Sequence, residues 1–198
     1  MNIQPITLRG EFVRLEPLSE IYVPDLTFVS NDKSIWRYML YGDITDEAGM
    51  WRFVKDLLKR AEQGTDLPFV VIHQGSNQPV GCTRYLNISR ENKKLEIGGT
   101  WYGLEYQRTK VNTECKYLLL KHAFEDLGCI RVQLKTDMRN VRSQKAIERI
   151  GAVKEGILRN HMILPDGNVR DSVFYSIIPS EWPDVKKLLE AKLAQTYS

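Results

Sequence analysis

A polar, basic loop runs directly into an apolar helix at the centre of the chain, in the stretch EYQRTKVNTECKYLLLKHAF at residues 105–124. The start of a helix has free backbone N–H groups, which together with the helix dipole attract phosphate. The loop adds charge and hydrogen-bonding groups from Gln107, Arg108, Thr109 and Lys110. Asn112 or Thr113 is a suitable N-cap for a helix predicted over residues 112–128. The spacing is compatible with a pyrophosphate site, but by itself it favours an ordinary capped helix beside a solvated loop.

Just before this loop, the segment LEIGGTWYG at residues 95–103 combines a glutamate with two glycines. Gly98 and Gly99 fit a β-bulge or a close contact between strands, because glycine relaxes the backbone limits. Glu96 points away from the apolar Leu95 and Ile97. It is a candidate proton acceptor if partly buried, and a surface carboxylate if not.

A third polar group occurs in RNVRS at residues 139–143. Asn140 is a suitable N-cap for the helix that follows, and its amide has enough bonding groups to contact a ligand as well. No histidine cluster accompanies these groups, because His73, His122 and His161 are far apart in sequence. The sequence therefore predicts no metal site.

Hydrophobic periodicity predicts the elements that must position these residues. A strand is predicted from Ile6, and helices are predicted over residues 23–39 and 47–64. Three strands follow over residues 67–74, 80–89 and 95–103, then the helix at 112–128. A strand at 130–138, a helix at 141–151, a hairpin around PDGN and a terminal helix complete the chain. The helix at 112–128 must cross over between two parallel strands, so we expect a mixed sheet with helices on its faces.

The composition indicates an ordinary globular chain of 198 residues, with 42% hydrophobic and 27% charged residues. We expect a single domain over residues 1–198. A net charge of +3 suits an anionic ligand but does not indicate nucleic acid, and no segment is apolar enough to predict a membrane span. Three widely spaced cysteines predict buried thiols in a reducing cytoplasm. The signatures of P-loops, dinucleotide-binding folds, zinc proteases and serine hydrolases are absent from the sequence.

Four segments in order resemble the GNAT superfamily of N-acetyltransferases, in particular its ribosomal-protein N-terminal branch of the RimJ/RimL type. They are LRGEFVRLEPLS, the central run from LEIGGTWYG to KTD, MRNVRSQKAIERIGAVKEGILRNH and GNVRDSVFYSI, and the resemblance covers nearly all of residues 6–178. It implies an α+β fold with a mixed, mostly antiparallel sheet of about seven strands and a central V-shaped cofactor cleft. It also implies a cytoplasmic acyltransferase that moves an acetyl group from acetyl-CoA to a primary amine, without a metal.

The resemblance implies roles for the polar groups described above. The pyrophosphate would lie at the loop and the helix start, at Gln107, Arg108, Thr109, Lys110, Val111, Asn112 and Thr113. The pantetheine arm would run along Gly99, Thr100 and Trp101 and contact Asn140, and the bulge would direct a backbone N–H toward the thioester carbonyl. Glu96 would be the base and Ser143 the acid, because Ile147 stands where many relatives have a tyrosine.

The chain departs from the family pattern in the pyrophosphate loop, which usually reads [Q/R]-x-x-G-x-[G/A]. Lys110 and Asn112 fill the two small positions here, so side chains could replace contacts that backbone makes in relatives. For the acceptor, a protein N-terminal α-amine is the first expectation, and a small amine or a non-catalytic CoA-binding module is the alternative. Expected walls of the acceptor site are Trp36, Tyr38, Met39, Trp51 and the hairpin loop, although these aromatic residues also suit a core. The sequence leaves a homodimer open.

Overall fold

A computed structural model describes residues 1–195 of the chain, which form eight strands and five α-helices. The strands are β1 (Leu8–Arg9), β2 (Val13–Pro17), β3 (Leu67–His73), β4 (Gln78–Ser89), β5 (Lys94–Tyr102), β6 (Arg131–Asp137), β7 (Val153–Ile163) and β8 (Val169–Ile177). The helices are α1 (Val23–Val29), α2 (Glu47–Glu62), α3 (Lys110–Lys121), α4 (Val141–Arg149) and α5 (Trp182–Ala194). The α+β class and the mixed, mostly antiparallel sheet are confirmed.

The strands form one sheet in the order β1-β2-β3-β4-β5-β6-β8-β7. Every neighbouring pair is antiparallel except β5 and β6, which are parallel. Parallel neighbours need a crossover connection, and α3 provides it, as predicted. The change from antiparallel to parallel pairing therefore falls at the centre of the sheet.

Side chains alternate between the two faces of the sheet, and helices cover both faces. Residues such as Leu95 and Ile97 face one core, which they share with buried residues of α3, α4 and α5. Val70, Cys82 and Trp101 face a second core under α1 and α2. All three cysteines are buried and unpaired, as predicted, and burial raises the pKa of each thiol.

The single N-terminal strand predicted from Ile6 is wrong, because the chain turns at Gly10 and forms a β1–β2 hairpin. The Glu114 carboxylate on α3 accepts the backbone N–H groups of residues 11, 12 and 13 at 2.7 to 2.8 Å. A β-carbon at Gly10 would lie 2.3 Å from the Glu114 Cδ. A contact with a residue about a hundred positions away thus fixes the turn, which local periodicity could not reveal.

The helix predicted over residues 23–39 is also shorter than expected, since α1 ends at Val29. The Asp32 side chain accepts the backbone N–H of Ser34 at 2.7 Å and begins a separate short 3-10 turn. The chain then folds back, and the Trp36 indole donates to the Ser30 carbonyl at 3.0 Å. The apolar pattern was correct about burial but wrong about a continuous helix.

Candidate active site

The two central parallel strands stay paired over only three residues. Lys94, Leu95 and Glu96 on β5 pair with Arg131, Val132 and Gln133 on β6, and the register ends there. Beyond Glu96, the edge of β5 that faces β6 has no partner strand among the described residues. The sheet therefore opens into a wedge, and an extended ligand that enters it could pair with β5 as an added strand.

A β-bulge lies on β5 at the mouth of this wedge. Cys82 pairs with Trp101 and Arg84 pairs with Gly98, so one residue of β4 lies opposite two of β5. Gly99 has a φ of +57°, in the left-handed region that favours glycine. A β-carbon there would lie 3.1 Å from the Arg84 guanidinium carbon. The glycine pair therefore forms the predicted bulge, and Gly99 is the residue of the pair with the left-handed conformation.

The side chains next to the bulge face the two cores and not the wedge. The Trp101 ring is buried under α1 and α2, with its centroid 5.0 Å from that of Trp36. The Thr100 hydroxyl lies 2.8 Å from that of Thr83, and the Lys116 ammonium group on α3 donates to Thr100 at 2.8 Å. Contacts from Thr100 and Trp101 to a ligand in the wedge would thus come from their backbone.

Lys116 is a lysine inside the core, with only 7% of its surface exposed. Burial lowers its pKa from the ordinary 10.5 to about 8. Its hydrogen bond to Thr100 connects α3 to the bulge. The apolar periodicity of the helix gave no signal for this contact, because charged residues are expected on the solvent face.

The start of α3 differs from the prediction. The helix begins at Lys110, and its N-cap is Thr109, whose hydroxyl accepts the N–H of Val111 at 3.3 Å. Asn112 and Thr113 lie inside the first turn, so the prediction that either caps the helix is wrong. The Asn112 side chain instead accepts the Tyr102 hydroxyl at 3.3 Å, and the Thr113 hydroxyl accepts from Arg149 at 3.3 Å.

The two cations predicted at this helix start have different surroundings. Lys110 donates to the Leu193 carbonyl at 2.7 Å, and its ammonium group lies 4.5 Å from the centre of the Phe12 ring. Arg108 is exposed, and its guanidinium forms no hydrogen bond with residues 1–195. Its φ of +63° is unusual for a residue with a side chain. A cavity of about 460 Å³ adjoins both cations.

Gln107 connects the loop to both sides of the wedge. Its amide group donates to the Tyr102 carbonyl at the end of β5 at 3.0 Å. Its carbonyl oxygen accepts from Arg142 on α4 at 2.8 Å. The loop and the two helix starts are therefore held together at one end of the sheet.

The starts of α3 and α4 both lie beyond the parallel strands, which brings Asn140 and Ser143 to the same end as the loop. Asn140 caps α4, since its side-chain oxygen accepts the N–H of Ser143 at 3.0 Å. Its NH₂ group and the Ser143 hydroxyl form no hydrogen bond with another described residue. The predicted capping role of Asn140 is confirmed, and its amide donors remain available to a ligand.

Glu96 is 2% exposed and lies where β5 and β6 separate. Its carboxylate accepts from Asn87 at 3.0 Å and from Gln133 at 2.8 Å, and Lys135 approaches it to 3.5 Å. These groups stabilise the negative charge. The sequence missed all three partners, because they come from β4 and β6 and meet Glu96 only across the sheet.

A sequence model of the acetyltransferase (GNAT) domain matches residues 13–153, which include the wedge, the bulge, the loop and both helix starts. The chain belongs to the GNAT acetyltransferase family. It is therefore an N-acetyltransferase, and the family resemblance read from its motifs is confirmed.

Individual GNAT relatives agree over most of the chain. A protein of Bacillus subtilis (strain 168) named "Putative ribosomal N-acetyltransferase YdaF" is 25% identical over 174 residues, which are 87% of this chain and 92% of YdaF. A GCN5-related N-acetyltransferase from Brucella melitensis is 28% identical with a TM-score of 0.91, covering 97% of this chain and 87% of that one. The structure of Mycobacterium smegmatis RimJ in complex with CoA-disulfide has a TM-score of 0.81 at 20% identity and covers 98% of both chains, which supports the fold.

The residues expected to wall the acceptor site divide between core and cleft in this GNAT chain. Trp36 is 1% exposed and belongs to the core under α1 and α2. Tyr38, Met39 and Trp51 are half-buried and remain candidates for the wall. Asp46, beside these residues, caps α2 by accepting the N–H of Gly49 at 2.6 Å.

No group of three or more His, Cys, Asp or Glu side chains within residues 1–195 is arranged to hold a metal ion. In the same part of the chain, no helix is both long and apolar enough to cross a membrane.

Proposed function

We propose that the protein transfers an acetyl group from acetyl-CoA to the α-amine of a protein N-terminus, with both substrates bound at once. The observation that carries this proposal is the wedge between β5 and β6, with a bulge at its mouth and two helix starts at its end. An extended thiol ester fits between the separated strands. The ribosomal N-acetyltransferase name of a relative that spans most of this chain supports the acceptor class.

The residues at the helix starts fit the polar parts of coenzyme A. The N–H groups of the first turn of α3 and the exposed Arg108 would bind the pyrophosphate, with Gln107 and Thr109 holding the loop. The free edge of β5 from Gly99 to Trp101 and the Asn140 amide would bind the pantetheine amides. Val111, Asn112 and Thr113 would support this site as the first turn of the helix. Lys110 would act mainly by fixing the helix start to α5.

The chemistry needs a neutral amine, donors for the developing oxyanion and a proton for the departing thiolate. A backbone N–H at the bulge, near Gly99, would serve the oxyanion. Glu96 would accept the amine proton through water, because its side chain lies at the point where the two parallel strands separate. Ser143 would donate toward sulfur, since its hydroxyl has no partner among the described residues. Holding both substrates in register would supply much of the remaining acceleration.

The face of the sheet on which Glu96 lies favours a peptide acceptor over a small amine. The core under α1 and α2 includes sheet residues from β3, β4 and β5 but none from β6, β7 or β8. The same face of β6 and β8 is therefore left without a helix in the described part of the chain. A peptide N-terminus would extend along this face, whereas a small amine needs only a pocket.

An assay of thiol release tests the proposal. It uses acetyl-CoA or succinyl-CoA as the donor, and short peptides or a panel of small amines as the acceptor. We expect release with acetyl-CoA and peptides. Glu96→Gln should lower kcat about a hundredfold and Ser143→Ala about tenfold, as expected for groups that transfer protons. Glu91→Gln, which changes an exposed glutamate between β4 and β5, is the matched control and should retain full activity.

The outcomes separate the parts of the proposal. Coenzyme A binding without thiol release for any amine would indicate a non-catalytic module. Release with small amines alone would refute the peptide acceptor. Full activity in Glu96→Gln and Ser143→Ala would show that the two roles are assigned incorrectly while the reaction stands.

A further inference from the structure

The face of β6 and β8 that lies outside the α1 and α2 core carries a buried arginine for which the proposed reaction has no use. Val132, Leu134, Val173 and Tyr175 face the α3 core, so Gln133, Lys135, Ser172 and Arg170 point to the other face, toward Glu96. Arg170 is only 5% exposed. Such burial of an arginine normally requires a partner of opposite charge.

Arg170 has no such partner among the described residues. Its Nε donates to the Ser172 hydroxyl at 3.0 Å, and it forms no ion pair within residues 1–195. The buried side-chain atoms that are sealed from solvent without a partner belong to Asp66, Arg84 and Trp101. The terminal nitrogens of Arg170 are not among them, so they keep some contact with solvent.

The acids near Arg170 are already bound by other groups. Asp137 accepts three hydrogen bonds from Arg139, at 2.8, 3.0 and 2.8 Å. Glu96 is held by Asn87, Gln133 and Lys135, as described above. Arg170 therefore shares the attraction of Asp137 with Arg139 and that of Glu96 with Lys135. An excess of positive charge remains at Arg170.

The neighbouring histidine lies in the same excess of positive charge. His161 on β7 shares a hydrogen bond with the Ser172 hydroxyl at 3.0 Å. Burial lowers the pKa of His161, and the charges of Lys135 and Arg170 lower it further, against a smaller opposite effect of Glu96. Burial also lowers the pKa of Arg170 despite the attraction of Asp137 and Glu96.

We propose that Arg170 binds a carboxylate of the acceptor, so that the preferred substrates are amines with an acidic group close to the reacting nitrogen. A planar guanidinium is well suited to a carboxylate, and binding would compensate a buried charge that forms no ion pair of its own among the described residues. Glu96 pairs with Gln133, which lies on the same face of the sheet as Arg170, so the carboxylate and the reacting amine would lie on one face. The inference rests on the proposed function, and the carboxylate could belong to an acidic side chain of a peptide or to a free amino acid.

Matched acceptors test this inference by thiol release. Two short peptides that differ only by Glu or Gln at their second residue test whether an acidic side chain is recognised. A comparison of alanine with alaninamide tests whether an α-carboxylate is recognised. For one of these pairs, the wild-type kcat/KM should be about tenfold higher for the acidic member. The difference should lie in KM and not in kcat, because the contact is already made in the bound ground state.

Arg170→Gln should abolish this preference while leaving kcat for the amide member unchanged. Arg159→Gln removes an exposed cation from the same hairpin and should keep the preference. Arg170→Lys retains the positive charge but lacks the planar guanidinium that can donate two hydrogen bonds to one carboxylate, so it should show a reduced preference. This variant provides the comparison if Arg170→Gln does not fold.

Equal kcat/KM within both pairs for the wild-type enzyme would overturn the inference and leave the proposed function intact. A preference that persists in Arg170→Gln would overturn it as well. Failure to acetylate any amine would instead reject the proposed function, and with it this inference.

Discussion

At the scale of single residues, Arg108 and Lys110 share charge and location but differ in their contacts. Lys110 connects the start of α3 to α5 and to the Phe12 ring. Arg108 is exposed and adopts a left-handed backbone conformation. Strained residues of this kind persist where the surrounding structure or a function requires them. The side chain that replaces backbone contacts in this glycine-free loop is therefore better assigned to Arg108.

The two cations are distinguished by coenzyme A binding. Arg108→Gln should weaken binding by about tenfold at low salt, with a smaller difference at high salt, because an exposed ion pair is screened. Lys110→Gln should mainly lower the melting temperature, because it loses a contact within the protein. Calorimetric titration with coenzyme A at two salt concentrations gives the comparison. Equal losses of affinity in both variants would assign the phosphate contact to both side chains.

At the scale of elements, the bulge of β5 depends on one glycine. Gly99 is in the left-handed region, and the missing β-carbon leaves room for Arg84. Its neighbour Gly98 has no such backbone requirement. The bulge therefore keeps its present geometry only while position 99 stays free of a side chain.

Gly99→Ala should destabilise the protein by about 1–2 kcal/mol, as expected for a left-handed residue that gains a β-carbon. It should also lower kcat by at least about tenfold, because the bulge would shift relative to the thioester. Gly128→Ala is a matched control, since Gly128 has a φ of +64° and open space around it. It should lose comparable stability and keep its kcat. Similar kcat values for the two variants would exclude a catalytic role for the bulge.

At the scale of the whole molecule, the core contains a charged group that opposes folding at neutral pH. The pKa of Lys116 is about 8 in the folded protein and 10.5 ordinarily, so the unfolded chain binds more protons between these values. Stability should therefore rise with pH through this window. Below pH 8 the folded protein carries the full cost, which is about 3 kcal/mol for a shift of this size.

Lys116→Met should accordingly raise the free energy of unfolding at pH 7 by about 2–3 kcal/mol, and the gain should shrink between pH 8 and 10.5. Urea unfolding across this pH range measures both effects. Lys121→Met removes an exposed ammonium group from the same helix and is the control. A loss of stability in Lys116→Met would show that the hydrogen bond to Thr100 outweighs the burial cost.

The sequence by itself determined the family, the α+β class, the crossover helix and the bulge, because each depends on local pattern and on residue types in order. It also determined that Asn140 caps α4, since capping is a contact within one turn. The tertiary structure decided everything that depends on residues distant in sequence. Glu114, about a hundred residues away, made a hairpin of the first strand.

For the same physical reason, one part of the candidate site was visible in the sequence and the other part was not. The loop at residues 107–112 was visible in the sequence because its chemistry is contiguous. The surroundings of Glu96 and of the buried Lys116 were not, because their partners lie on other strands of the sheet. The lack of an ion pair at Arg170 was not visible either, because it depends on which acids the neighbouring strands bring near. Periodicity predicts which face of an element a side chain occupies. Only the packed sheet decides which charges meet there and which one remains without a partner.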